Sequence, residues 1–182
     1  MSVEDRILAA ALELLEEHGV ARLTMEATAE RAGVAKTTLY RRHRNAADLA
    51  TAAIAHADSD VDAAAEHPDD LRAALLAFLR TFAAEREKVG LDVLGAMLSE
   101  PDGELLALHR ERVVRPHRDR LAALVVAAQD RGEVRRDVDP LLAIELLVGS
   151  FFARHVAGRQ MDPDAWAAAA VDLLWRGLEP GT

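Results

Sequence analysis

Lys36, Thr37, Thr38, Tyr40, Arg41 and Arg42 fall within seven consecutive residues, and that mix of cations, hydroxyls and one aromatic ring suits a nucleic-acid duplex. Lysine and arginine can neutralise phosphates and donate to guanine edges, threonine can bond a phosphate oxygen or touch a thymine methyl, and tyrosine can do either. The stretch Arg31 to Arg44 holds five cations and no acid, a charge of +5 in fourteen positions. By charge alone, a solvated basic helix end would look the same. Spacing separates the two readings. Thr24 can cap a helix to about Arg31, Gly33 can take a left-handed turn, and Ala35 to Arg41 can form a short second helix. Ala29, Ala32, Val34 and Leu39 are small or apolar enough for the two helices to cross closely. Such a helix-turn-helix lays its second helix in the major groove while the first crosses the phosphate backbone.

The elements that must hold this pair in place are helical throughout. Alanine makes up about a fifth of the 182 residues, aromatics are only 4%, and there is no strand-like alternation, so the predicted class is all-α with about nine helices. Ser2 with Asp5 opens a first helix that Gly19 ends; Asn45 with Asp48 opens a fourth, predicted to reach about Glu66, before the break at His67-Pro68-Asp69. Leu71, Leu75, Phe78, Leu79 and Phe82 mark a fifth helix, and Val93, Leu94, Met97 and Leu98 a shorter sixth. A long helical reading from Glu104 to Arg131 contains Pro116, which is expected to kink or split it. Asp139-Pro140 and Asp162-Pro163 each place a capping acid before a proline at the first helical position, opening the last two helices.

The net charge of −9 would argue against nucleic acid, but it is unevenly distributed. Residues 1–56 carry seven Lys+Arg against eight Asp+Glu, leaving fifteen against twenty-three for the remainder. The absence of cysteine removes disulfides, thiolate metal sites and a cysteine nucleophile. The acidic start at Ser2, Glu4 and Asp5, with no apolar run long enough to span a bilayer, predicts a cytoplasmic chain with no membrane partner. His109 and His117 beside Glu104, Arg110 and Glu111 invite a metal or catalytic reading, but their spacing fits no helical ligand pair. Ser99 and Ser150 lack the surroundings of a nucleophile. No catalytic residue, metal or cofactor is therefore expected, and the chain is not expected to be an enzyme.

Arg6-Ile7-Leu8-Ala9-Ala10-Ala11, Leu23-Thr24-Met25-Glu26 and Arg31-Ala32-Gly33-Val34-Ala35-Lys36-Thr37-Thr38-Leu39-Tyr40-Arg41 together resemble the signature of the TetR family of transcriptional regulators, over about residues 3 to 54. Arg131-Gly132-Glu133-Val134-Arg135 and Leu147-Val148-Gly149 with Arg154 bear a softer resemblance to the helical C-terminal regions of many members. The resemblance implies a homodimer that binds a double-stranded, near-palindromic operator and is released from it by a small-molecule effector, with repression as the implied direction. It implies a helix-turn-helix DNA-binding domain at 1–45 and a helical effector-binding and dimerisation domain at 46–182. Contacts to bases and phosphates carry over to Lys36, Thr37, Tyr40 and Arg42, with Thr24 and Thr38 on phosphates.

Two positions depart from that pattern. Ala46 stands where many relatives have a phosphate-contacting lysine, and His43 stands near where they place an aromatic ring. Arg41, Arg42 and Arg44 could offset the lost cation. A helical small-molecule-binding dimer with a degenerate DNA-binding head is the alternative reading.

Further along, Phe78, Phe82, Leu94, Met97, Leu105 and Leu108 are candidates to line a cavity for an apolar or amphipathic effector, or to form a solid core. Leu142, Leu146, Gly149, Phe152, Ala153 and Val156 on one helix, with Ala168, Val171, Leu174 and Trp175 on the next, form broad apolar faces. Such faces suit a four-helix interface between two subunits or burial within one, and the resemblance favours the interface.

Overall fold

The computed structural model describes residues 1–57, 70–89, 95 and 103–180. Within them the chain is helical, with no strand: α1 Val3–His18, α2 Met25–Ala32, α3 Lys36–Arg42, α4 Ala46–Ala57, α5 Leu71–Val89, α6 Glu104–His109, α7 Arg115–Arg131, α8 Pro140–Val156 and α9 Pro163–Leu178. The predicted sixth helix, with Leu94 and Met97, and the end of the fourth beyond Ala57 lie outside the described residues. No described helix is long and apolar enough to cross a membrane.

Local chemistry sets the helix starts. The Ser2 hydroxyl accepts from the Asp5 amide at 3.1 Å while the Asp5 carboxylate accepts from the Ser2 amide at 2.7 Å, a reciprocal cap. Thr24 Oγ1 accepts from the Ala27 amide at 3.1 Å, Asn45 Oδ1 from the Asp48 amide at 2.9 Å, and Asp70 Oδ1 from the Ala73 amide at 2.9 Å. Asp139 and Asp162 cap α8 and α9 in the same way, each followed by its proline. Pro116 lies inside α7, whose helical winding runs through it without a break. Residues Arg110–Val114 instead adopt π-helical winding, which joins α6 to α7 just before the proline. The wider loop accommodates a ring that has no amide to donate and would crowd the carbonyl one turn back.

The chain forms two compact units. The first comprises Met1–Ser59 and Glu85–Arg115. Its core runs through Ile7, Ala11, Leu14 and Leu15 of α1, Leu23, Met25 and Ala29 around α2, Leu39 of α3, Leu49, Ala53 and Ile54 of α4, and Leu105 and Val113. Burying leucine and isoleucine side chains contributes about 1.5–3 kcal/mol each, so α1 and α4, which supply most of them, are the scaffold for the shorter α2 and α3.

The second unit comprises Asp60–Ala84 and Pro116–Thr182. Its aromatic centre is Phe151, fully buried, with Phe82, Phe152 and Trp166 ringed around it at centroid distances of 5.3–5.7 Å. Arg154 is buried beside this cluster, its guanidinium 4.6 Å from the Trp166 ring and 5.3 Å from that of Phe151, and it donates to the Met161 carbonyl at 3.2 Å. An Arg72–Asp172 ion pair and an Arg80–Asp164 pair at 3.0 Å link α5 to α9.

Gly33 ends α2 at φ +62°, ψ +41°, where its amide donates to the Glu30 carbonyl and the Val34 amide to that of Ala29. A Cβ built there would lie 3.3 Å from Arg6 Nη2. Gly33→Ala should therefore cost about 1–2 kcal/mol from left-handed strain and a displaced Arg6, read as a lower urea midpoint with an unchanged slope.

Candidate nucleic-acid interface

Leu39 is the buried residue of α3 and turns the helix so that its other side chains face out. Lys36, Thr37, Tyr40, Arg41 and Arg42 are exposed, Tyr40 at 50%, and Thr38 is half-buried. Thr24 is exposed with its hydroxyl engaged in the α2 cap. Two helices crossing at a glycine turn thus present cations, hydroxyls and a ring on one short helix.

The turn is held from α1. Arg6 Nη2 donates to the carbonyls of Ala32 at 2.6 Å and Gly33 at 2.9 Å, satisfying the end of α2 with a charged donor. Glu4, two residues before Arg6 on α1, accepts from Arg42 Nη1 at 2.9 Å through Oε2, and its Oε1 lies 3.0 Å from Nε2 of the buried His43. His43 therefore docks the end of α3 on α1 through a polar contact.

The junction of α3 and α4 is gripped as well. Asp48 is buried and accepts from the Arg44 amide at 2.9 Å and from the Arg112 guanidinium, while Asn45 Nδ2 donates to both Glu104 oxygens at 3.1–3.2 Å. Burial works to raise the Asp48 pKa, but the Arg44 amide and the hydrogen bond and charge of Arg112 outweigh it and hold the carboxyl below its ordinary 3.8.

Most of the cations in the basic stretch already have carboxylate partners. Arg31 Nη1 lies 2.8 Å from Glu17, Arg42 is paired with Glu4, Arg44 Nε lies 3.8 Å from Asp48, and Lys36 Nζ lies 3.6 Å from Glu26. Arg41 has no acidic partner among the described residues. The charge of +5 in the sequence is thus largely compensated across the surface in the absence of DNA.

No role at the site was assigned from sequence to Arg6, Glu4 or Glu26, nor was Asp48 matched with Arg112. Their partners lie as much as 64 residues away, and no local periodicity signals them. Of the candidate effector residues, Phe78 and Phe82 stack at 5.7 Å within the second unit, and Leu105 lies in the core of the first, where Leu108 is half-buried. Leu142, Leu146, Gly149 and Ala153 form an exposed line along α8 that continues to Val156. Phe152, Leu174 and Trp175 are half-buried, and Val171 is buried within the second unit. The exposed large apolar residue of α9 is Leu173, which periodicity alone did not distinguish.

Comparison with known proteins agrees with this architecture. The family described as "Bacterial regulatory proteins, tetR family" matches residues 7–53, and the "Tetracyclin repressor-like, C-terminal domain" matches residues 66–174. The chain is 31% identical over 180 residues to a DNA-binding transcriptional repressor, TetR, of Mycobacteroides abscessus, covering 96% of this chain and 93% of that protein. It is 28% identical over 176 residues to the HTH-type transcriptional regulator YdeS of Bacillus subtilis, covering 95% and 88%. Among solved structures, the TetR family transcription regulator SCO0332 superposes with a TM-score of 0.76 at 31% identity, covering 99% of this chain and all of that one. The regulator FadR of Bacillus subtilis, solved with stearoyl-CoA, shares the fold at a TM-score of 0.74 and 19% identity, covering 97% of this chain and all of that one.

Proposed function

The chain belongs to the TetR family of transcriptional regulators, and from that premise we propose that it is an effector-responsive repressor that binds a near-palindromic operator as a homodimer. The observation that carries the reading is the outward face of α3, where Lys36, Thr37, Tyr40 and Arg41 project from a turn braced by Arg6. We assign base and phosphate contacts to Lys36, Thr37, Tyr40 and Arg42, and phosphate contacts to Thr24 and Thr38. Arg41 and Arg44 add charge where Ala46 offers none. In a symmetric dimer, two copies of α3 enter major grooves about 34 Å apart.

The proposed dimer surface is the exposed line Leu142, Leu146, Gly149 and Ala153, with Phe152, Leu174 and Trp175 beside it. The proposed effector is an apolar or amphipathic small molecule, a reading supported by the aromatic side chains around Phe82. An effector that binds better to a dimer with misplaced heads would weaken operator binding by a coupling of about 1–3 kcal/mol.

Selection of bound sequences from a random duplex pool tests the reading, with an enriched inverted repeat as the expected result. On that repeat, Arg41→Ala, which removes a cation with no acidic partner among the described residues, should weaken binding and make the log–log salt slope shallower by about 0.9, the share of one phosphate. A head without DNA-binding function would give no enrichment and no specific complex at low salt.

A further inference from the structure

Glu26 lies on the first turn of α2 and reaches the outward face of the neighbouring helix. Its Oε1 accepts from the Tyr40 hydroxyl at 3.3 Å and lies 3.6 Å from Lys36 Nζ. It is thus a carboxylate oxygen held between the two side chains assigned above to DNA, in the way a phosphate oxygen would be. Other acids in contact with the head's cations and caps are placed differently: Glu17 faces Arg31, Glu4 holds the end of α3 onto α1, Asp5 caps α1, and Asp48 is buried at the α4 start.

We propose that Glu26 is a resident counterion that stands in for a DNA phosphate, holding Lys36 and Tyr40 in register and competing with any duplex for them. The proposal rests on the operator-binding reading and adds a control on it. With Glu26 beside it, Lys36 reaches the duplex already neutralised and releases fewer of the cations condensed on the DNA, so Glu26 reduces the salt-dependent, sequence-independent part of binding. Both ends of the Lys36–Glu26 pair are more than half exposed, so the pair adds little to folding and its removal should leave the head intact.

Electrostatics at the contact agree. Hydrogen bonding by the helix amide outweighs burial and, with Lys36 and Tyr40, keeps the Glu26 carboxyl below its ordinary 4.5. Burial and the Glu26 charge push the Tyr40 hydroxyl above its ordinary 10.0. Tyr40 is the chain's one tyrosine, so ultraviolet titration of the phenol reads this contact without DNA.

The test compares wild type with Glu26→Gln, each checked for unchanged helicity, on a selected operator and on a duplex of unrelated sequence. The expected result is a steeper salt slope on both duplexes, by about 0.9, so that the curves converge near about 1 M salt and Glu26→Gln binds about eightfold tighter at about 0.1 M. The Tyr40 titration should also move down toward that of a free phenol. If Glu26→Gln binds no tighter than wild type, or Tyr40 titrates as in wild type, the counterion role is overturned while operator binding stands. If neither protein binds any duplex, the operator reading fails and this inference fails with it.

Discussion

Leu146→Glu should yield a helical chain that sediments as a monomer at concentrations where the proposed wild-type dimer forms, with operator affinity reduced about 10²–10⁴-fold as bivalent binding is lost. Leu146 is 59% exposed and follows Leu142 on a line that continues through Gly149 and Ala153 and ends at Val156. These positions are spaced alternately four and three residues apart, the period that keeps one face of a helix toward a partner. In a two-fold interface the same residue appears twice, so one substitution introduces two carboxylates into a desolvated seam. Each leucine fully buried there contributes about 1.5–3 kcal/mol, which the change forfeits before any cost of burying charge. Leu146→Ala should show a smaller, graded shift in the same direction. A dimer that persists in Leu146→Glu with unchanged operator affinity would place the interface elsewhere.

Asp48→Ala should lower the stability of the head by about 2–4 kcal/mol, measured from the denaturant midpoint. The carboxylate is 7% exposed and accepts from the Arg44 amide and the Arg112 guanidinium, so its removal leaves a backbone donor and a cation without their acceptor. Asp48→Asn, which keeps an acceptor oxygen, should lose less. Because the folded chain holds this carboxyl below its ordinary 3.8, the stability it contributes is present above that value and is lost as pH falls through the folded value. The acid limb of the wild-type stability profile should therefore be steeper than that of Asp48→Ala. Coincident limbs would mean that the pair does not form in solution.

The helix starts were legible because each is set by a residue within three positions of the amide it caps, as with Ser2 and Asp5, Thr24, Asn45, Asp139 and Asp162. The turn at Gly33 was legible because a left-handed backbone selects glycine. Pro116 signalled an irregularity, but not that the helix would absorb it by winding wider.

At the candidate interface, the outward set on α3 followed from the buried Leu39 and helical periodicity. The acids that neutralise this set did not, because Glu4 meets Arg42 across 38 residues and composition cannot reveal which carboxylate faces which cation. On α9, Val171 and Leu173 are equally apolar in sequence, and only packing makes one buried and the other exposed.

The irregular winding at Arg110–Val114 also sets the rotational phase of the side chains it carries. With 3.6 residues per α turn, Glu104 and Arg112 would point in distinctly different directions from one straight axis. A π loop advances through less angle per residue, so it swings Arg112 back toward the side from which Glu104 reaches Asn45. Two fingers on one rod thereby close on the same knuckle between α3 and α4, and tightening the rod by a single residue would loosen one of them.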